Sequence, residues 1–220
     1  MSSPAKRFAT YADLLEVPDH LVAEIVDGEL HTSPRPAPRH AVSASELAAE
    51  LIPPFSRGRG GPGGWWILFE PELHLGPDIL VPDLAGWRRE RLPTISDTPP
   101  YFTLAPNWIC EVLSPSTYRL DRMRKLRICG REGVEHAWLV HPGERTLEVL
   151  RLESGRWAIA GTFADAARVR AEPFDAVAID LLPLWGEQRA TPRRRGLAAK
   201  TAKRRTVDQR SGNPRPRARG

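Results

Sequence analysis

The chain has little of what would staple a fold together or anchor it in a membrane. It contains only two cysteines, Cys110 and Cys129, with no Cys-x-x-Cys and no Cys/His cluster. A disulfide scaffold and a structural zinc site are thereby excluded, and both thiols are expected reduced and buried. No apolar run approaches the roughly 18 residues that cross a bilayer. Met1 to Thr10 lacks the apolar core of a secretion signal, so the expected location is cytoplasmic, without a membrane partner. Net positive charge is also missing from most of the chain. The formal +5 hides a segment, 189–220, with 12 Lys/Arg and one acid, while residues 1–188 hold 20 basic and 26 acidic side chains, a net of −6.

What is present is a chain of 220 residues, 41% hydrophobic with seven Trp. That is enough for one globular domain with a substantial core, and too little for a second. The domain is expected over 1–188, ending near Trp185. Residues 189–220, almost devoid of apolar side chains, read as a disordered basic tail. Such an arm can neutralise phosphates without sequence preference, or simply solubilise the chain.

Local signals give a mixed α/β order. Thr10 before Tyr11 to Leu15, with Asp13 three residues on, predicts a capped short helix. Leu21–Val26 and Glu29–Thr32 flank Asp27-Gly28, which suits a type I′ hairpin turn. Pro34, Pro36 and Pro38 predict an extended segment, Arg39–Ile52 a helix, and 53–64, rich in Gly and Pro, a mobile loop. Strands are predicted at 65–69, 72–75, 79–87 and 108–113. A helix is expected over Tyr118–Arg131, stopped by Gly133, and then meander strands at 137–140, 146–152 and 156–160.

The chemically informative feature is a carboxylate inside a buried strand. Glu111 has Ile109 and Leu113 on its own face and Cys110 and Val112 on the other. An unpaired carboxylate there costs several kcal/mol or takes up a proton. Asp83, in Ile79-Leu-Val-Pro-Asp-Leu-Ala85, poses the same problem. On neighbouring strands about 4.8 Å apart, Asp83 and Glu111 could share one Mg²⁺, an oxygen-seeking ion that completes its shell with water and phosphate. Each acid could equally pair with an arginine. Glu24, between Val22 and Val26, is a third acid that either reaches the metal through water, orients the other groups or is merely exposed.

Cleavage of a phosphodiester also wants a cation near the phosphate. The helix after Glu111 offers Arg119, Arg122, Arg124, Lys125 and Arg127. Lys125 stands one turn from Asp121 and one turn from Cys129, so it can lie on the less exposed side, or belong like any basic residue here to a solvated helix face. The arginines are expected to face solvent or phosphate. His40 opens its helix on the side of Ala44, Leu47 and Leu51, placing it in the core or against substrate phosphate. His20, His31, His74 and His136 have no spacing that suggests a metal.

These residues carry a resemblance. Glu24-Ile-Val-Asp-Gly-Glu-Leu30, Ser33-Pro34 through His40, Val81-Pro-Asp83, Glu111-Val-Leu-Ser-Pro-Ser-Thr117, Asp121, Lys125 and Gly133-Val-Glu-His-Ala-Trp-Leu-Val140 resemble, in order, the Uma-two family of the PD-(D/E)XK nuclease superfamily. The match runs over about residues 10–185. It implies a restriction-endonuclease-like fold, a mixed central β-sheet flanked by helices on both sides. It further implies a Mg²⁺-dependent endonuclease, with Mn²⁺ as a substitute, whose catalytic residues are Glu24, Asp83, Glu111 and Lys125, whose metal ligands are Asp83 and Glu111, and whose accessory residues are His40 and Asp121.

The sequence departs from the superfamily at Leu113, where a lysine usually follows the second acid by two positions, so the lysine migrates to the helix. Cys129 replaces a usual aromatic, and His141 a usual Asp. The implied partner is nucleic acid, DNA first, with the basic tail assisting. Two further readings stay open: a non-catalytic nucleic-acid-binding module on an inherited nuclease fold, and a homodimer formed through edge strands of the meander.

Overall fold

Local signals account for most elements of the computed structural model, which describes residues 7–115 and 118–188. The tail predicted at 189–220 lies outside the described residues. Helix α1 (Tyr11–Leu15) is closed by the expected capping box: the Thr10 N–H donates to the Asp13 carboxylate at 2.7 Å, and the Asp13 N–H to Thr10 Oγ1 at 3.4 Å. Strands β1 (Leu21–Val26) and β2 (Glu29–Pro34) form the hairpin. Asp27 and Gly28 take φ of 55° and 73°, as a type I′ turn requires.

Helix α2 (Pro38–Leu51) starts one residue earlier than the sequence suggested. A proline in the first turn forfeits only an N–H that has no helical partner there. The loop expected from residue 53 is also corrected. The chain first makes a π-helical turn, Ile52–Ser56, because Phe55 goes into the core. Strand β3 (Trp65–Phe69) follows, then β4 (Leu73–Leu75).

The run 79–87 is two strands, β5 (Asp78–Leu80) and β6 (Leu84–Arg88), belonging to different sheets. Pro82 has no N–H for a ladder, so the chain breaks at Val81-Pro82-Asp83 and changes sheet. Asp83 therefore sits at a strand mouth and not within a strand.

Strand β7 (Trp108–Val112) is buried at every position. A π-helical stretch, Leu120–Lys125, runs into α3 (Leu126–Arg131), and Gly133 at φ 79° ends it. The meander is β8 (His136–His141), β9 (Thr146–Glu153) and β10 (Arg156–Ala164), the last four residues longer than predicted. The short pair β11 (Arg168–Val169) and β12 (Ile179–Asp180) and a 3₁₀ turn, Leu182–Trp185, complete the described chain.

The main sheet has the order β10-β9-β8-β7-β6-β3, antiparallel except for the parallel β7–β8 pair. A second sheet has the order β2-β1-β5-β4. Alternation along β7 builds two cores. Cys110 and Val112 face the layer of α2, with Leu47, Leu51 and Phe55. Ile109 and Leu113 face the layer of α3, with Leu126, Ile128 and Cys129. Helices thus cover both faces of a mixed sheet. Among the described residues no helix is long and apolar enough to cross a membrane.

Candidate active site

Five segments deliver side chains to one cleft of about 180 Å³, lined by Glu24, His40, Asp83, Glu111, Asp121 and Lys125 among others. Glu24 comes from β1, His40 from the first turn of α2, Asp83 from the β5–β6 break, Glu111 from the centre of β7, and Asp121 and Lys125 from the π-helical stretch. Strands β6 and β7 are antiparallel neighbours with Leu84 opposite Cys110, so Asp83 arrives beside Glu111. The side-chain alternation of β7 puts Glu111 on the α3 side, toward Lys125. π-Helical turns inside helices are frequent at functional sites. Here one carries both Asp121 and Lys125.

Lys125 is the hub. Its Nζ lies 2.8 Å from Glu111 Oε1, 2.9 Å from Glu24 Oε1 and 3.4 Å from Asp121 Oδ1. All four side chains are buried, Lys125 and Glu111 at 3% exposure. The contact to Glu111 is close enough for an ion pair but poorly aligned as a hydrogen bond, which leaves Glu111 Oε1 a buried oxygen without a hydrogen-bond partner. Glu24 Oε1 also accepts the Val81 N–H at 2.7 Å. One carboxylate oxygen therefore ties the lysine to the segment that carries Asp83.

Asp83 is held at both oxygens. Oδ2 accepts the Val112 N–H at 2.6 Å, and Oδ1 lies 2.6 Å from His40 Nε2. His40 is a largely buried cleft residue whose hydrogen-bond partner is Asp83. The Asp83 carbonyl accepts the Glu70 N–H at 3.1 Å. Glu70 and Arg35, paired across 3.4 Å, form part of the rim. Sequence reasoning missed both, since each sits in irregular chain beside a proline and neither follows a strand or helix period.

Charge does not balance in this cleft. Four carboxylates, Glu24, Asp83, Glu111 and Asp121, face one ammonium. Burial, then the neighbouring Asp121, Asp83 and Glu24, push Glu111 well above the ordinary carboxylate range despite Lys125. Burial works against the Lys125 charge, but Glu111, Glu24 and Asp121 outweigh it and hold the ammonium well above its ordinary value. The lysine stays charged, the one ammonium among these carboxylates.

Do these residues fit a divalent cation? Among the described residues no three His, Cys, Asp or Glu side chains gather as a closed metal cage. The gathering of carboxylates and the Glu111 oxygen that lacks a hydrogen bond nevertheless fit a hard cation held by one or two carboxylates and otherwise by water, which is the habit of Mg²⁺.

Arg119 faces solvent as expected, whereas Arg122, Arg124 and Arg127 take acidic partners. Arg122 makes a two-pronged pair with Glu148, at 2.8 and 2.9 Å. Arg124 donates to Asp27 at 2.8 Å, Glu29 at 2.9 Å and the Val26 carbonyl at 3.0 Å, and Arg127 also pairs with Asp27. These pairs clamp the hairpin that carries Glu24 to the helix that carries Lys125. Arg124→Ala is expected to cost about 1–2 kcal/mol, since charged hydrogen bonds are lost but the acids left behind are half-exposed. Chemical denaturation of the two chains checks this, and an unchanged midpoint would refute the clamp.

Comparison with known proteins gives a family and similar solved structures. The Uma2 family, described as "Putative restriction endonuclease", matches residues 8–181. A crystal structure of "a putative nuclease belonging to DUF820" from Anabaena variabilis is similar at 22% identity, covering 81% of this chain and 98% of that one with a TM-score of 0.65. No curated protein matches.

Proposed function

The chain belongs to the Uma2 family of restriction endonuclease-like proteins, and from that premise we propose that it is a Mg²⁺-dependent endonuclease that hydrolyses phosphodiester bonds of DNA in the cleft around Lys125. The observation that carries this reading is the buried meeting of three carboxylates, Glu24, Glu111 and Asp121, with one lysine, beside Asp83 in an open cleft. A purely structural ion pair would balance its charges, and this cluster does not.

In this reading Asp83 and Glu111 hold the metal. A bound Mg²⁺ supplies charge stabilisation at the phosphate and makes a water easier to deprotonate. The protein's own groups do the rest. Val112 N–H and His40 fix the Asp83 carboxylate so that its remaining lone pairs face the cleft. Lys125, kept protonated by its three acids, donates hydrogen bonds to the attacking water and to the developing negative charge on the phosphate oxygens. Glu24 positions Lys125 relative to the Asp83 segment, and Asp121 holds it from the next turn. Residues 1–188 form the nuclease domain, and the basic arm 189–220 adds affinity for DNA that is indifferent to sequence.

The test is nicking of supercoiled plasmid by the full chain with Mg²⁺ or Mn²⁺. Cleavage that EDTA stops is the expected result; no cleavage with either ion overturns the proposal. His40→Ala should retain folding and lose about 10–100-fold in rate, the usual cost of removing a group that orients a metal ligand. The loss should shrink as Mn²⁺ is raised, and a rate equal to that of the parent would remove His40 from the site.

A further inference from the structure

Two larger cavities of opposite charge share lining residues with the cleft. One, of about 410 Å³, shares Val22, Arg35, Glu70 and Val81 with the cleft and adds Asp19 and Glu72. Its single cation, Arg35, is already engaged by Glu70 and by the Asp19 carbonyl, so three carboxylates dominate it. The other, of about 450 Å³, shares Ser33 with the cleft and is lined by His31, Thr32, Arg119, Met123 and Arg124. No carboxylate lines it. Different elements line the two: the basic cavity takes His31, Thr32 and Ser33 from the edge strand β2, and the acidic one takes α1, the start of β1 and the loop residues Glu70, Glu72 and Val81.

Within the basic cavity the two arginines differ. Arg124 is spent on Asp27, Glu29 and the Val26 carbonyl. Arg119 is exposed and makes no ion pair or hydrogen bond among the described residues. Beside it Met123 is 63% exposed, a polarizable apolar side chain with no packing duty. A free guanidinium, hydroxyls from Thr32 and Ser33, and an apolar side chain suit a phosphate followed by a base.

We propose that the nucleic-acid strand leaves the active cleft over Ser33 and across β2, with Arg119 taking a phosphate next to the scissile one, and that the acidic cavity carries no backbone. This rests on the nuclease reading only for the identity of the strand.

The experiment uses the full chain, so that the tail contributes equally to every variant. Affinity for a fluorescein-labelled single-stranded oligonucleotide is measured by anisotropy in CaCl₂ at several NaCl concentrations, and KM for cleavage of the same strand in MgCl₂. Arg119→Ala should weaken binding several-fold, flatten the slope of log K against log salt by about 0.7, the loss of one phosphate contact on a single strand, and raise KM. Asp19→Lys, which adds a cation to the acidic cavity, should leave affinity and slope as they were. An Arg119→Ala chain with parental affinity and slope, or an Asp19→Lys chain that binds more tightly by one added contact, overturns the path. Binding without cleavage in any variant or metal overturns the nuclease reading instead, while the comparison of affinities still judges the path.

Discussion

Asp83→Asn and Glu111→Gln are each expected to abolish metal-dependent nicking, by about 10²–10³-fold or more, while leaving the chain folded and, for Glu111→Gln, more stable than the parent. The loss follows from removing a proposed metal ligand whose charge offsets that developing on phosphate. The gain follows from the charge count in the cleft. Glu111 is buried among three other carboxylates with a single lysine, and its proton is held well above the ordinary value of 4.5. Between pH 4.5 and that raised value the folded chain binds more protons than the unfolded one, so this group makes metal-free stability fall as pH climbs through the window. Glutamine at 111 cannot titrate, and the melting temperature of Glu111→Gln should lose that part of its pH dependence. Added Mg²⁺ should raise the melting temperature of the parent and leave that of the variant nearly unmoved. Parental nicking rates in both variants would show that the chemistry lies elsewhere.

Lys125→Met is expected to lose activity as severely and to move stability the other way. Its ammonium lies within 2.8–3.4 Å of three buried carboxylates. Removing one partner of a buried charge cluster typically costs about 3–5 kcal/mol, because the desolvated charges left behind have nothing to face. Either the variant melts far below the parent or its acids take up protons, so that its stability recovers on acidification. Millimolar Mg²⁺ should restore part of the loss by supplying positive charge to the same carboxylates. Calorimetry at pH 5 and pH 8, with and without the ion, separates these effects. Should Lys125→Met melt with the parent at both pH values, the hub described for Lys125 is wrong. The opposite signs of Glu111→Gln and Lys125→Met are the signature of a site that gives up stability to keep unbalanced charge in place.

Those two acids and the lysine were legible in the sequence because each breaks a local rule. A carboxylate in the centre of Trp108–Val112 has no business there unless something faces it, and a lysine one turn from Asp121 and from Cys129 can turn inward. The hairpin and the capped first helix were legible for the same reason: a two-residue turn and a three-residue spacing are local facts. What the sequence concealed is set by distant partners. Arg124 looked like a solvated residue because Glu29 is 95 positions away. Phe55 looked like part of a loop because the aromatic ring that receives it, Phe174, lies in the last third of the chain, 4.8 Å away centroid to centroid. The break at Pro82 was visible as a proline, yet a change of sheets can be seen only once β1 and β7 compete for the two halves of the run. Glu70 left no trace at all, since its contribution to Asp83 is a backbone N–H that any non-proline residue could supply.

The two cysteines lie in different cores, Cys110 beneath α2 and Cys129 on the inner face of α3. Burial, reinforced by Asp83 and Glu111, keeps Cys110 firmly protonated, and burial, reinforced by Glu111, pushes Cys129 up to about 12. Neither thiol can reach the other, and neither is a nucleophile while its layer is closed. Each is therefore a clock for the opening of its own layer. The rate at which a thiol reagent modifies Cys110 counts excursions of the α2 side, the rate at Cys129 counts those of the α3 side, and the ratio tells which wall of the cleft breathes first.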